Sequence, residues 1–216
     1  MNQNLKIFIT LILIIATILV AYYGSYLPFS KSRAFISSMR TLGQTASLDS
    51  FKKTFSFPLD IPSPVGQEEL VRQLGNISLN VVQQNNNPKA IEDLVSYLES
   101  YYRPIVERNK GMSFSQDLYV LGSVNELAFL KTSNKAFFDA SKKYFERAVE
   151  YGPKRPQALY GIFDIYRLEG NVNGAKAVAD QILSQWPNDD KTRSIITEFL
   201  KKAATKNLPK SSSTTR

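Results

Sequence analysis

Two proline turns constrain this chain more than any other feature. "EYGPKRP" at residues 150–156 and "SQWPNDD" at residues 184–190 each set an aromatic residue within two positions of a proline, and Pro153 and Pro187 lie 34 residues apart. Proline cannot continue a helix it closes, and an interval of 34 between helix-ending prolines is the period of a helix–turn–helix repeat.

The apolar spacing elsewhere is also helical. In "KAIEDLVSYLESYY", residues 89–102, Ile91, Leu94, Val95, Leu98 and Tyr102 share one face, Asn87-Pro88 supplies a start, and Pro104 predicts an end. Further helices are predicted at about 31–43, 47–56, 66–84, 113–130, 135–151, 156–169, 172–185 and 189–204. No run alternates as a strand would, so the expected fold class is all-α. The breaks "PLDIPSPVG", "QQNNNP", "RNKGM" and "LEGN" are short, as in antiparallel helix hairpins stacked side by side.

The segment "PQALYGIFDIYRLEGNVNGAKAVADQILSQWP", residues 156–187, resembles a tetratricopeptide repeat. Leu159 stands for the pattern's early aromatic, Tyr166 for its tyrosine, Gly170 for its inter-helix glycine, Ala175 for its alanine at the helix crossing, and Pro187 for its closing proline. Phe163 and Ile182 depart from the pattern by replacing small residues. Upstream, "DLYVLGSVNELAFL" resembles a repeat's first helix and "ASKKYFERAVEYGP" its second, with a connection about seven residues longer than the family's turn. Downstream, "DDKTRSIITEFLKKA" would be the capping helix such an array needs. Under this reading Leu159, Ile162, Phe163, Tyr166, Ala175, Val178 and Ile182 are core.

At the other end, "IFITLILIIATILVAYY" at 7–23 is continuously apolar, and no charge occurs between Lys6 and Lys31. Seventeen residues make roughly 26 Å of helix, near the thickness of a hydrocarbon core. Tyr22, Tyr23 and Tyr26 suit an interfacial belt, and Pro28 predicts the end of the helix. A cleaved signal peptide is the rival, but "LVA" at 19–21 is a poor cleavage site. One lysine precedes the span, whereas Lys31, Arg33 and Arg40 follow it. That asymmetry leans toward a cytoplasmic C-terminal part, and the side of the membrane stays open.

The chain of 216 residues has no cysteine and no histidine. That removes thiolate and imidazole nucleophiles, the Ser-His pair, and the usual zinc and haem ligands. No paired-carboxylate motif, phosphate loop or nucleophile elbow replaces them, so no catalytic residue, metal or cofactor is expected. The net charge of +8 is concentrated at the C-terminus: five cationic residues and no acidic one lie in the last sixteen. The remainder is close to an ordinary solvated surface, and no nucleic-acid partner is expected.

The expected organisation is a transmembrane anchor at 1–30, a degenerate helical-repeat region at 31–112, tetratricopeptide-like repeats with a cap at 113–204, and a disordered basic tail at 205–216. The order of features is also similar to the C-terminal region of bacterial O-antigen ligase or polymerase-like membrane proteins. Gly66, Glu69 and the Gln73-Leu74 pair match that family's helix after its final span. This resemblance implies an accessory domain of cell-envelope glycan assembly in the bacterial cytoplasmic membrane, and transfers no catalytic residue. The repeat resemblance implies a membrane-anchored scaffold, with the first helix of each pair facing a protein or peptide partner. On that reading the groove uses Tyr119, Ser123 and Glu126 from one repeat, and Gln157, Tyr160, Asp164 and Arg167 from the next. Tyr160 and Asp164 do not match the family's Lys/Asn clamp for C-terminal carboxylates. A third reading has the tail and juxtamembrane charges binding anionic polymer or lipid headgroups.

Overall fold

The computed structural model describes residues 3–44 and 47–206, and all regular structure among them is helical. The ten α-helices are α1 Gln3–Ala21, α2 Leu27–Thr41, α3 Leu48–Asp60, α4 Gln67–Gln84, α5 Pro88–Arg108, α6 Phe114–Thr132, α7 Lys135–Tyr151, α8 Pro156–Glu169, α9 Val172–Gln185 and α10 Asp190–Lys206. The chain divides into two compact units between Arg108 and Asn109. The predicted tail from residue 207 onward lies outside the described residues, and Thr205 and Lys206 belong to α10.

In the first unit, α1 does not stop at Pro28. A single wide π-turn, Tyr22–Tyr26, joins α1 to α2, with the Leu27 N–H bonded five residues back to the Tyr22 carbonyl. The widened turn gives room for the Pro28 ring, which in a regular helix clashes with the carbonyl four residues earlier, and the helix runs on through it. The helix Gln3–Thr41 is long and apolar enough to cross a membrane, and none of its apolar window is buried.

Two other prolines lie inside helices rather than at their ends. Pro58 in α3 leaves the Thr54 carbonyl without its usual donor, and the Ser38 hydroxyl of α2 takes that place at 2.8 Å. Pro104 in α5 sits on the exposed side, where water can satisfy the freed carbonyl. Helices α2 and α3 pair through Phe35, Phe51 and Phe55, with ring centroids 5.5 and 4.8 Å apart. Helices α4 and α5 pair through Val71, Leu74, Ile91, Leu94, Val95 and Leu98, all buried.

In the second unit each helix from α6 to α10 packs on the next, and α6 also meets α8, the arrangement of a short α-solenoid of helix hairpins. The extra residues between α6 and α7 do not form a long loop. They extend both helices, to 19 and 17 residues, and leave only Ser133 and Asn134 as the link. Ser133 adopts φ 57° to close α6, and the Asn134 side chain caps α7 through the Ala136 N–H. The lengthened hairpin is bridged by two buried hydroxyls, Ser115 to the Ala148 carbonyl at 2.7 Å and Ser141 to the Gly122 carbonyl at 2.9 Å.

The α8–α9 hairpin turns at Gly170, φ 70°, followed by Asn171 capping the Gly174 N–H. Leu159, Phe163, Ala175, Ala179 and Ile182 form one buried cluster, with Tyr166 and Val178 half-buried against it. The small residue that the helix crossing demands is not at Phe163. Close approach occurs instead at Gly161 and Gly122, where an added Cβ would come within 2.4 and 2.9 Å of the Phe145 ring.

A candidate partner-binding face on α6 and α8

The predicted groove residues all fall on α6 and α8, but the fold uses them in different ways. Tyr119 lies against Phe145 with centroids 5.9 Å apart, and the Ser123 hydroxyl donates to the Tyr119 carbonyl within α6. Tyr160 is committed to α10. Its hydroxyl donates to Asp189 Oδ2 at 2.5 Å, and the same carboxylate caps α10 by accepting from the Thr192 N–H at 3.0 Å and the Thr192 hydroxyl at 2.7 Å. The hydrogen bond to Asp189 raises the Tyr160 pKa, and the bonds from Tyr160 and Thr192 hold the Asp189 carboxyl below its ordinary value. Gln157 is exposed in the first turn of α8.

Glu126, Asp164 and Arg167 come together. Arg167 Nη1 bonds Asp164 Oδ1 at 2.5 Å, one turn apart on α8, and its guanidinium lies over the Phe163 ring at 5.5 Å. Glu126 on α6 feels both charges. Desolvation first, and repulsion from Asp164 second, push its carboxyl up to about 7 against the pull of Arg167. Sequence reading missed Glu198 of α10, which also feels Arg167 and pairs with Lys202 at 2.6 Å. The i,i+4 spacing of Glu198 and Lys202 was visible, but not the docking of their helix beside α8. Among the described residues no three carboxylates gather closely enough to hold a metal ion.

This arrangement is a polar, half-buried face that carries a carboxyl titrating near neutrality. Glu126 also yields a stability prediction. A carboxyl whose folded pKa is raised keeps a proton that the unfolded chain has already lost, so its contribution to stability falls as pH rises from about 4.5 to about 7 and then levels off. Glu126→Gln, always neutral, should therefore stabilise the chain at pH 8 by about 1–3 kcal/mol and change little at pH 4.5. With no histidine in the chain, few other side chains titrate across that interval. Equal effects at both pH values in thermal melts would refute the buried-carboxyl account.

No protein-family model matches the chain, and no curated protein matches it. Among solved structures, a tetratricopeptide repeat protein from Parabacteroides merdae is similar over 83% of this chain and 81% of that one, at 14% identity and a TM-score of 0.28. The hairpin architecture therefore rests on this chain's own contacts: successive antiparallel helices, glycine at the close approaches, and asparagine at the caps of α7 and α9.

Proposed function

We propose that the chain is a single-pass scaffold of the bacterial cytoplasmic membrane, anchored by α1. Its helical-repeat part holds a protein or peptide partner and has no catalytic activity of its own. The observation that carries this reading is the exposure of α1: its Leu, Ile, Phe and Val side chains from Leu5 to Val20 lie exposed, and none of its apolar window is buried. A contiguous apolar surface of that size is unfavourable in water and favourable in lipid. The uncharged run ends at residue 30, which sets the anchor at 1–30, and residues 113–204 carry the recognition helices. Gln157, Asp164, Arg167 and Glu126 supply the partner face, with Tyr160, Tyr119 and Ser123 holding its helices in place.

The full chain should stay with membranes through a carbonate wash, and a chain lacking residues 1–27 should move to the supernatant. Retention of the truncated chain would overturn the anchor. For the partner, a photo-crosslinker at Gln157 should give a discrete adduct in native membranes that Asp164→Arg abolishes. An adduct indifferent to that charge reversal would remove the α8 face from the binding surface.

A further inference from the structure

The connector between α3 and α4, "IPSPVG" at residues 61–66, differs in kind from the other turns. The turns at 85–87, 109–113 and 152–155 read NNN, NKGMS and GPKR; 61–66 is uncharged and, unlike these, holds two prolines. Part of its backbone is closed by local bonds. Pro62 and Pro64 have no N–H to leave bare. The Val65 N–H turns to the Ser63 hydroxyl at 3.4 Å, and that hydroxyl donates to the Val65 carbonyl at 2.7 Å. The Ile61 carbonyl accepts from Lys31 Nζ at 2.6 Å, and the Gly66 carbonyl from the Leu70 N–H at 3.2 Å. What the connector shows to the outside is Pro62, Pro64 and Val65, the last 59% exposed. An unpaired backbone group is expensive away from water, and the carbonyls of Pro62, Ser63 and Pro64 still need a donor, which the hydrated interfacial layer provides and the hydrocarbon does not.

Its height relative to α1 follows from Lys31. A helical side chain leans toward the helix N-terminus, here toward α1, and Lys31 Nζ bonds the Leu59 and Ile61 carbonyls. The connector therefore lies level with the start of α2, roughly one turn before Lys31. The uncharged stretch 7–30 is about 36 Å of helix against about 30 Å of hydrocarbon, so the span ends within the tyrosine cluster. Tyr22 stacks on Tyr26 there, at 5.6 Å between centroids. Phe29, 63% exposed, and Phe57, 68% exposed, flank the same level. Of the neighbouring charges, Asp60 accepts from the Tyr101 hydroxyl at 3.0 Å and Glu68 pairs with Arg108, while Asp60, Glu69, Arg33, Arg103 and Glu107 are exposed at the rim.

We propose that the Ile61–Gly66 connector seats in the interfacial layer of the bilayer beside α1, a second and shallow membrane contact that fixes the first unit against the lipid surface. This rests on the reading of α1 as a membrane anchor, and it holds for either orientation of the chain. The absence of native cysteine allows a direct test with the full chain in phosphatidylcholine–phosphatidylglycerol vesicles. Single cysteines at Val65, Ser50 and Leu13 would carry an environment-sensitive fluorophore, quenched by lipids bearing a nitroxide at a shallow or a deep acyl position. Ser50, exposed near the far end of α3, lies about 17 Å along the helix from Ile61. The expected result is deep quenching at position 13, shallow quenching at position 65 several-fold above that at position 50, and wild-type helix content for each labelled chain. Quenching at 13 with none at 65 overturns the connector contact and leaves the anchor standing. No quenching at 13 overturns the anchor, and the connector proposal with it.

Discussion

Phe145→Ala should destabilise the second unit by about 3–5 kcal/mol. The ring is fully buried on α7 and packs with Ile162 and Ile165. It occupies the space that two glycines leave open, Gly122 on α6 and Gly161 on α8. The crossing of three helices thus depends on one large residue held by two absent side chains, and α6 and α8 cannot collapse into the vacancy without losing their own contacts. The converse substitution tests the same geometry from the other side. Gly161→Ala places a methyl 2.4 Å from a ring that has no room to retreat, and should cost about 1–3 kcal/mol by overpacking. In a Phe145→Leu background that penalty should shrink, because the smaller side chain yields the space. Thermal unfolding of the full chain in mild detergent, followed by circular dichroism, would give the coupling; strictly additive losses would show that ring and glycine do not meet.

The same residues show what a sequence can disclose. Helices α7, α8 and α9 were legible to the residue because their caps, Asn134, Gly170 and Asn171, are local chemistry. The face of α5 was legible because its period is unbroken from Ile91 to Tyr102. The prolines misled, since the cost of a proline inside a helix depends on what else can reach the carbonyl four residues back. For Pro58 that is Ser38, sixteen residues upstream of Thr54 on another helix; for Pro104 it is solvent. The α6–α7 hairpin was legible in its helix bounds, predicted at 113–130 and 135–151, and the seven residues beyond the repeat pattern lie in the lengthened helices. At the candidate face, the positions on α6 and α8 were readable from helical spacing. The capture of Tyr160 by Asp189 and the raised pKa of Glu126 were not, because both arise from which helix lies alongside.

Lys31→Met should cost about 2–4 kcal/mol, although read from sequence alone Lys31 is one of three cations flanking an apolar span. The residue is buried, and its ammonium donates to the carbonyls of Leu59 at 3.0 Å and Ile61 at 2.6 Å. These carbonyls end α3, where the helix dipole favours a cation and where Pro62 and Pro64 offer no N–H. Methionine keeps most of the stem's packing while removing the charge and all three donors, so the loss measures the orphaned carbonyls rather than a void. Arg33→Met, on the exposed face of α2, should change stability by less than about 0.5 kcal/mol. Salt separates the two further: a screened surface charge weakens at high ionic strength, whereas a buried ammonium bonded to carbonyls does not. If Lys31→Met unfolds no more easily than Arg33→Met, the ammonium faces solvent and α3 lacks its cap. If the loss is large, the charge asymmetry beyond the span reduces to Arg33 and Arg40 against Lys6, and Lys31 holds the hairpin, and the connector at its end, against the anchor helix.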